Sequence, residues 1–470
     1  MRYFCCYIVK TVSNFVCKIA TALSCQLGRE HSWSFTIVSA SIVLGVVGGL
    51  SACSKPSPDL VRETRTSLYI KNYAEGKDIS LALVWNARTK QFRDGAILAA
   101  EEINNEGGVA GHHLSLELID ATPFLMSKSF TLSTAEGQYR NAKQEIGRKI
   151  AQLVIDNPNI AAVIGSAMPS ETTLSAMMSF QDNGILFINS GSTDSRIMWA
   201  SKDMYFQLVP QDESLVAKLV AEIHDQKWHS VYIIYEDSRH KSEVVDLLRT
   251  ELSHSDAVLR GTYAIPSDGN NKILHRHRLH DLLATFREAD IDAILLLTQA
   301  ELGANVIKWS RSINVMQPFM GTSELAASSK FIQVVGDDGL GTRITSLYRS
   351  NNYLVQRFKE KFKKRFPGQT INEGTAMGYD SVRLYADSVA SATTTNPFRV
   401  IDALHFKLPI WYGLLGTYSF VDRHSINLKH SIRQLARRKD GKLEFVPEID
   451  LKTDAKTDMK VDLNCKSQDL

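Results

Sequence analysis

The sequence predicts an α/β protein built on parallel sheets. Apolar runs of strand length alternate along the chain with segments whose apolar residues recur at helical spacing. One such unit is compact: a strand over 79–85, a helix from Gly95, and a strand over 114–119, where the period changes to two. Because parallel strands are joined by crossover helices, this βαβ order indicates a parallel sheet. The 470 residues suggest more than one domain.

The helix of this unit has a face of small apolar residues, which include Ala96, Ala99 and Ala100. Small side chains allow a helix to lie close to a sheet. The pair Gly107–Gly108 predicts the end of the helix, because glycine readily adopts the left-handed conformation found at helix C-termini. Gly111 predicts a second tight turn before the strand.

The N-terminal region contains a short apolar run over 35–49, followed by Leu50-Ser51-Ala52-Cys53. This tetrapeptide resembles the bacterial lipobox, in which the cysteine is lipidated and becomes the mature N-terminus. Residues 1–52 are therefore interpreted as a signal segment and 53–77 as a disordered tether, beginning with Ser-Lys-Pro-Ser-Pro. An uncleaved membrane anchor is the alternative, and in either case the body of the protein faces outward.

The charge and the cysteine content of the chain limit which partners and which covalent cross-links we expect. The formal charge of +3 is spread along the chain and gives no reason to expect a nucleic-acid partner. The cysteines at positions 5, 6, 17 and 25 precede the lipobox, so the mature chain keeps only Cys53 and Cys465. With Cys53 lipidated, no internal disulfide is possible, and the core alone must hold the fold.

Two loops in the first half are rich in hydroxyl groups. One follows the predicted strand 160–164 and includes Ser166, Pro169 and Ser170; the other follows the strand 184–188 and runs Asn-Ser-Gly-Ser-Thr-Asp over 189–194. Helices are predicted over 146–155 and 174–180. In a parallel sheet these loops gather at the carboxyl ends of the strands, where ligands bind and where helix N-termini favour anions. Ordinary helix N-caps are the alternative reading.

The second half repeats the same alternation. The predicted strands are 230–235, 258–265 and 292–297, and the predicted helices are 215–225, the segment ending at 252, 273–289, 302–312 and 353–366. A further helix opens at 375, and a closing strand is predicted over 442–446.

The unit at 95–121 closely resembles the type I periplasmic binding proteins, in particular the leucine/isoleucine/valine-binding receptors of ABC transporters. The matching positions are Gly95, Ala96, Ala99, Glu101, Glu102, Ile103, Asn104, Gly107, Gly108, Val109, Gly111, Leu114 and Asp120. The resemblance extends over about 78–447 and implies two doubly wound, Rossmann-like lobes joined by three crossover segments. It places parts of lobe I at 78–208 and 325–415, parts of lobe II at 209–324 and 416–447, and a charged tail at 448–470.

The resemblance also implies a function. We expect a lipid-anchored receptor on the periplasmic face that closes on a small polar ligand and delivers it to an ABC permease. We expect a monomer without cofactor, catalytic activity or nucleic-acid partner. A regulator of the same fold, acting on a sensor or cell-wall enzyme through protein contact, is the alternative. A hydrolase using Ser170 or Ser192 with His240 is the weakest reading.

The residues expected at the ligand follow from the same resemblance. They are Trp85, Ser166, Ser170, Ser190, Gly191, Ser192, Thr193, Asp237, His240, Gln299, Ser323, Glu324 and Tyr379. Three of them depart from the family pattern. Ser323 stands where the family often has an acidic residue for the ligand's ammonium group, and His240 and Gln299 replace aromatic contacts. We therefore expect weak binding of leucine, isoleucine or valine, with Glu324 or Asp237 left as the possible ammonium partner.

A histidine-rich stretch at 275–280 raises the question of a metal site, because His277 and His280 would share a helix face. Arginines alternate with these histidines, and no cysteine or acidic cluster completes a ligand set. An exposed basic helix start is the preferred interpretation, and we expect no metal.

Overall fold

The computed structural model describes residues 57–126, 136–165, 168–266, 272–348, 353–420 and 428–447. Its strands are β1 Ile79–Trp85, β2 Leu114–Asp120, β3 Ile160–Gly165, β4 Leu186–Asn189, β5 Tyr205–Gln207, β6 Ser230–Asp237, β7 Val258–Pro266, β8 Ala293–Leu297, β9 Phe319–Gly321, β10 Arg343–Ser346, β11 Ile410–Tyr412, β12 Thr417–Ser419, β13 Ser431–Arg437 and β14 Leu443–Pro447.

The α-helices are α1 Pro58–Ala74, α2 Lys90–Asn105, α3 Thr122–Leu125, α4 Glu136–Ile155, α5 Ser170–Asp182, α6 Ser195–Ala200, α7 Asp212–Asp225, α8 Arg239–Leu252, α9 Lys272–Thr285, α10 Ala300–Ser312, α11 Lys330–Val335, α12 Tyr353–Arg365, α13 Glu373–Ala392 and α14 Pro397–Asp402. Short 3₁₀ turns cover Ala87–Thr89, Ser323–Ala326 and Gly336–Gly339, and a π-helical turn covers Ala403–Lys407.

Lobe I is built on a five-stranded parallel sheet with the order β2-β1-β3-β4-β5. The predicted βαβ unit is confirmed: β1 has the predicted bounds, and β2 runs one residue longer than expected. Strand β3 is buried along its whole length, as expected for a sheet covered by helices on both faces. The class predicted from the sequence, α/β with parallel sheets, is therefore confirmed.

Two glycines bring helices α2 and α13 into close contact. A Cβ atom on Gly95 would lie 2.0 Å from the carbonyl oxygen of Thr375, and one on Gly378 would lie 2.0 Å from the carbonyl oxygen of Phe92. The helix backbones are therefore too close for any side chain at these positions. The small face predicted for the first helix thus packs against another helix as well as against the sheet.

Lobe II is built on a seven-stranded mixed sheet with the order β14-β13-β10-β9-β8-β6-β7. Strands β6 to β10 pair in parallel, whereas β13 and β14 add an antiparallel edge beside β10. The closing strand predicted over 442–446 is β14. A small antiparallel pair, β11 with β12, lies outside both large sheets.

The crossings between the lobes correct the predicted boundaries. Residues 325–348 were expected in lobe I, but Phe331 and Ile344 belong to the core of lobe II, and β10 pairs with β9. The chain returns to lobe I after β10, because Leu347 lies in the core of that lobe. The segment around 318–324 is therefore a strand and loop of lobe II rather than a crossover. Leu428 still packs in lobe I, so the last crossing precedes β13 rather than starting at 416.

Helix α1 corrects the expectation of a loose tether over 53–77. This 17-residue helix packs on lobe I through Tyr69, whose hydroxyl donates to the carbonyl of Ile160 at 2.5 Å. Arg65 is also buried and donates to the carbonyl of Ile155 at 2.7 Å. No apolar stripe in the sequence indicates this helix, because its buried face is partly polar.

Several helix ends also differ from the prediction. Helix α9 ends at 285 rather than 289, and α13 begins at Glu373, capped by Asn372, rather than at 375. Within the described ranges no helix is both long and apolar enough to cross a membrane.

Candidate functional site

Side chains from the carboxyl ends of the two sheets meet at one junction between the lobes, here called the cleft. Thr193, in the loop after β4, donates its hydroxyl to Asp212 at 2.7 Å, where the chain has just crossed into lobe II. His240 Nδ1, near the start of α8, lies 3.6 Å from the other oxygen of Asp212. The structure thus brings together two loops that the sequence predicted to be on the ligand side.

Asp212 is the buried carboxylate at this junction. Burial raises the pKa of its carboxyl group, while His240 and the Thr193 hydroxyl oppose that rise. Asp212 is also the first residue of α7, where the helix dipole favours a negative charge. Thr193 is not the N-cap of the following helix, because that position is held by Asp194.

Ser170 and Asp194 connect the loops after β3 and β4. The Asp194 carboxylate caps α6 and binds Arg196 at 2.5 Å, and the Ser170 hydroxyl also donates to it. Burial alone would raise the pKa of Asp194, but these hydrogen bonds hold it below the usual value. Ser170 is therefore oriented by a carboxylate at the lobe I side of the cleft.

Two ion pairs bridge the lobes directly. Arg239, at the start of α8, lies 2.9 Å from Glu171 of α5, and Arg196 of α6 lies 3.1 Å from Glu243 of α8. Arg239 also binds Glu243 at 2.9 Å, so the four side chains form one network. None of these four residues was among the predicted ligand contacts, although Glu171 and Arg239 each follow a predicted contact, Ser170 and Asp237, within two residues.

Lys143 of α4 adds a buried cation near this network. Burial lowers the pKa of its ammonium group to about 8, and the nearby Glu171 carboxylate counteracts that effect. Arg239 contributes in the same direction as burial because it carries a like charge. The lobe I side of the cleft is consequently rich in charges of both signs.

On the lobe II side, Lys241 joins two carboxylates. Its ammonium group lies 2.7 Å from both Glu236 and Glu324. Burial would lower the pKa of Lys241, but the two carboxylates raise it. The backbone N–H of Gln299 donates to Glu236 at 3.2 Å, which places that residue at the same edge. Glu324 is therefore already paired with a cation, and Asp237 stands exposed at the end of β6.

Ser323 lies opposite the carboxylate of Glu373, which was not among the residues predicted at the site. Its hydroxyl hydrogen-bonds Glu373, the first residue of α13 in lobe I. Glu373 is partly buried and also accepts hydrogen bonds from Leu347 N at 2.9 Å and from the Ser346 hydroxyl at 3.2 Å. Burial raises the pKa of its carboxyl group despite these donors. No local pattern could reveal this pairing, because Glu373 is 50 residues away in sequence.

Trp85 ends β1 on the lobe I side and is partly buried. The guanidinium of Arg93 lies 4.3 Å from the centre of its ring, and Arg93 in turn binds the buried Asp94 at 2.6 Å. This cation–π contact fixes one face of the indole. The expected role of Trp85 as a wall of the cleft fits this position at the end of a strand.

The remaining predicted residues divide between the loop after β4 and the interior of lobe I. Ser190 turns toward α13, where its hydroxyl lies 2.8 Å from that of Ser381. Ser192 is buried, and Asn189 Nδ2 donates to its carbonyl at 2.7 Å. The backbone N–H of Gly191 donates to Asn189 Oδ1 at 3.3 Å, so Asn189 holds this turn. Ser166 and Cys53 lie outside the described residues.

Tyr379 does not lie with the cleft residues. It is in the second turn of α13, and its hydroxyl donates to Glu102 of α2 at 2.7 Å. Arg383 binds the same carboxylate at 3.0 Å. The prediction of a ligand contact for Tyr379 is therefore corrected: through Glu102 the residue joins two helices of lobe I.

The structure also shows the surroundings of the residues considered for catalysis and for metal binding. Ser170 is bonded to Asp194, and His240 faces Asp212, so each is paired with a carboxylate. His280 lies 3.9 Å from Asp281 on α9. In the portion of the chain covered by the structure, no three His, Cys, Asp or Glu side chains are grouped as metal ligands.

This fold and cleft agree with the comparisons to known proteins. The sequence model described as "Periplasmic binding protein" matches residues 87–440, and the chain belongs to this family. The family assignment and the two-lobed fold inferred from the sequence are thereby confirmed. A search of curated protein sequences found no match.

Solved structures share the fold at low identity. An ABC transporter substrate-binding protein from Desulfitobacterium hafniense in complex with Leu is 22% identical, with TM-score 0.61, covering 78% of this chain and 100% of its own. A solute binding protein from Rhodopseudomonas palustris BisB5 in complex with 3,4-dihydroxy benzoic acid is 16% identical, with TM-score 0.63, covering 79% and 96%. The branched-chain amino acid transporter substrate binding protein LivJ from Streptococcus pneumoniae, in complex with isoleucine, is 17% identical, with TM-score 0.59, covering 79% and 99%.

Proposed function

We propose that this protein is the lipid-anchored, extracytoplasmic solute receptor of an ABC transporter. Its two lobes would close on a small polar ligand and present that ligand to a membrane permease. The observation that carries the proposal is the convergence of the loops after β3, β4, β6 and β9 on one charged cleft. Family membership over 87–440 supports the same conclusion.

The charges of the cleft favour a ligand that is itself charged or strongly polar. Amino-acid-like molecules, amides and carboxylates fit this description, and the similar solved structures carry leucine, isoleucine or an aromatic acid. Glu324 is occupied by Lys241, so a ligand ammonium group would have to compete with a lysine for it. Weak or absent binding of leucine, isoleucine and valine therefore stays our expectation.

We propose as ligand contacts the predicted residues at the strand ends and loops around this cleft. They are Trp85, Ser170, Gly191, Ser192, Thr193, Asp237, His240, Gln299, Ser323 and Glu324, with Ser166 and Ser190 kept as proposals from the family pattern. Tyr379 is omitted because it binds Glu102 within lobe I.

Closure would be a hinge motion about the three crossing segments. A ligand shifts the balance between open and closed forms only as far as it binds the closed form more tightly. The ion pairs Arg239–Glu171 and Arg196–Glu243 already favour closure without a ligand. The ligand would therefore add to an existing bias rather than supply the whole of it.

The other elements of the proposal come from the sequence. Acylation of Cys53 would hold the protein at a membrane on its extracytoplasmic side, as a monomer. No cofactor, catalytic activity or nucleic-acid partner is proposed. Since the family and the similar structures are binding proteins, the serine and histidine residues of the cleft are assigned to binding.

One observation favours the alternative, a regulator that acts on a sensor or cell-wall enzyme through protein contact. Side chains of both lobes meet directly across the cleft, as they would in a receptor-like protein that no longer opens for a solute. A regulator would retain the closed form and bind no small molecule.

The test is native mass spectrometry of freshly purified protein, followed by calorimetry with any molecule it releases and with leucine, isoleucine and valine. A retained small molecule that rebinds supports the receptor. Micromolar or tighter binding of leucine, about −8 kcal/mol, would contradict the expected weak binding of branched-chain amino acids and would indicate Glu324 as the ammonium partner. Absence of ligand in protein that also fails to bind a broad metabolite library would favour the regulator.

The anchor is tested separately by labelling with a fatty-acid analogue. Cys53→Ala should abolish acylation and leave unprocessed precursor, while Cys465→Ala serves as the matched control and should label normally. Unchanged labelling of Cys53→Ala would exclude the proposed anchor.

A further inference from the structure

An open cavity of about 410 Å³ lies in lobe II, at the end of the sheet that is away from the cleft. Its walls include Phe319, the first residue of β9, and Gly341, which shortly precedes β10. These two strands run in parallel, and their carboxyl ends lead to Ser323 and Ser346 at the cleft. The volume is at the lower end of those found for small-molecule sites. We name this space the β9 cavity.

Two large apolar side chains at this cavity are exposed. Met316 and Leu340 have exposed fractions of 69% and 42%. Both line the β9 cavity together with Pro318 and Phe319. Apolar surface exposed around a concave space is a feature of ligand sites, because a ligand that covers this surface removes it from water.

Arg311 is the cation of the cavity, and it is incompletely paired. It lies in the last turn of α10 and is partly buried, with its guanidinium 5.0 Å from the centre of the Phe319 ring. Its Nη1 donates to the carbonyls of Val315 at 2.5 Å and Gln317 at 3.1 Å. Its Nε and Nη2 form no hydrogen bond or ion pair with any described residue. Burial lowers the pKa of this guanidinium, and the charge of Asp338 offsets that effect only in part.

Two carboxylates also line the β9 cavity, on the 3₁₀ turn Gly336–Gly339. Asp337 is already paired with Arg437 of β13. Asp338 is exposed, and its carboxylate forms no hydrogen bond or ion pair with the described residues. The cavity therefore contains one cation and one anion that act on each other electrostatically without being in contact.

A molecule with charges of both signs would complete both pairs. The free edge of the Arg311 guanidinium, formed by Nε and Nη2, is the arrangement of donors that binds both oxygens of a carboxylate. The Asp338 carboxylate would accept from an ammonium group. A ligand with only an anionic group would be repelled by Asp338, and a ligand with only a cationic group would be repelled by Arg311. The exposed Met316 and Leu340 favour an apolar side chain on the same molecule.

We propose that the β9 cavity is a second small-molecule site of this protein, which binds a hydrophobic amino acid or a similar zwitterion. The ligand carboxylate binds Arg311 and the ammonium group binds Asp338. The apolar side chain packs against Met316 and Leu340. This site is separate from the cleft and does not depend on the proposed receptor function. Because its ion pairs are partly exposed, the affinity should lie in the millimolar range.

The experiment is a titration of full-length protein that carries carbon-13 in its methionine methyl groups, followed by nuclear magnetic resonance. The resonance of Met316 is identified by its loss in Met316→Leu. Phenylalanine should shift this resonance with saturation in the millimolar range, while that of Met178, an exposed methionine of lobe I, stays in place. Phenylpropionate, which lacks the ammonium group, and phenethylamine, which lacks the carboxylate, should each bind more weakly by about 5-fold or more.

Variants of the two charged residues test the same contacts. Asp338→Asn should weaken phenylalanine binding by about 5-fold, the upper value for a partly exposed ion pair. Arg311→Gln should have the same effect, but it also removes hydrogen bonds to two carbonyls at the end of α10. Asp338→Asn removes no such bond, so the test stands even where Arg311→Gln unfolds. Asp256→Asn, an exposed aspartate next to β7 at the other edge of the sheet, is the matched control and should bind as wild type does.

A Met316 resonance that does not move at millimolar phenylalanine overturns the proposal. Equal affinity for all three probes, or unchanged affinity in Asp338→Asn, also overturns it, because the two charges would then not contact the ligand. Phenylalanine that displaces a molecule retained in the cleft but leaves the Met316 resonance in place would bind only in the cleft. The second site would then fail while the receptor function stands. A saturating Met316 shift in protein whose cleft binds nothing would support the second site and count against the receptor.

Discussion

Thr193 shows how one side chain can serve structure and function at the same cleft. Its hydroxyl donates to Asp212, and its carbonyl accepts the backbone N–H of the same residue at 3.2 Å. The residue therefore ties lobe I to the start of α7. A ligand that binds Thr193 would have to share this hydroxyl with Asp212.

Thr193→Ala should lower both stability and affinity. The change removes one hydrogen-bond donor from the buried carboxylate of Asp212, which should lower the free energy of unfolding by about 1–3 kcal/mol. Thr193→Ser keeps the hydroxyl and is the matched control. Urea unfolding and calorimetry on the same preparations separate the two effects, and a stability loss with unchanged affinity would remove Thr193 from the proposed ligand contacts.

Asp380 of α13 gives a pH-dependent contribution to stability. Burial raises the pKa of its carboxyl group from 3.8 to about 7, opposed by hydrogen bonds from Leu414 N, Leu415 N and the Tyr418 hydroxyl. Between about pH 4 and pH 7 the unfolded chain releases this proton while the folded protein keeps it. The contribution to folding is therefore present below pH 4 and is lost as the pH rises to 7.

Asp380→Asn should remove this dependence. The difference in unfolding free energy between the variant and the wild type should change steadily from pH 4 to pH 7 and stay constant above that. Urea unfolding at four pH values across the range measures it. A difference that is the same at every pH would mean that Asp380 does not titrate in this window.

Among the elements, the contact between α2 and α13 depends most directly on residue size. Gly95 and Gly378 each face a backbone carbonyl of the other helix at a distance that excludes a methyl group. Gly95→Ala should destabilise the protein by about 1–3 kcal/mol or more through forced separation of the helices. Gly374→Ala on α13 is the control, since its Cβ would come no closer than 3.3 Å to the side-chain oxygen of Asn372 and 4.0 Å to the backbone nitrogen of Phe92. Thermal unfolding compares the stability of the two variants, and equal melting temperatures would contradict the close packing of α2 against α13.

The elements also show what the sequence can and cannot predict. Strand β1 was predicted with its observed bounds because its apolar run is uninterrupted and the turns around it are clear. Strand β9 has only three residues, and the family pattern placed the boundary between the lobes just after it, between 324 and 325. Helix α1 was missed because it buries Tyr69 and Arg65 through hydrogen bonds rather than through an apolar stripe.

The loops that hold the candidate site could be predicted from the sequence, but the pairs of side chains that contact each other there could not. Strand ends located the segments that hold Ser170, Thr193 and His240, because parallel topology brings them to one edge. The choice of partner depends on tertiary distance, which local patterns do not contain. Glu373 behind Ser323 and Glu171 opposite Arg239 therefore emerged only from the structure.

For the whole molecule, the balance between open and closed forms should depend on salt and on Arg239. Arg239→Gln breaks the bridge to Glu171, and partly exposed pairs of this kind contribute about 0.2–1 kcal/mol, or up to about 5-fold in population. Small-angle scattering of the ligand-free variant should show a larger radius of gyration than wild type. High salt should shift wild type in the same direction.

Arg249→Gln is the matched control for this change. Arg249 pairs with Asp246 within α8, so its loss removes an ion pair without touching the other lobe. Identical scattering from Arg239→Gln, Arg249→Gln and wild type would show that the bridging pair does not hold the lobes together.

The antiparallel edge of lobe II has a consequence for the order in which the chain folds. Strand β10 obtains its second neighbour only from β13, and β13 from β14, which follows every other strand of this sheet in the sequence. Until then β10 presents an open edge, and lobe I also waits for α13, more than 250 residues after its first strand. Lobe I therefore cannot be completed before α13 has been synthesised, and lobe II cannot be completed before β14 has. Both lobes depend on pairing between elements far apart in sequence, which is expected to make their folding slow.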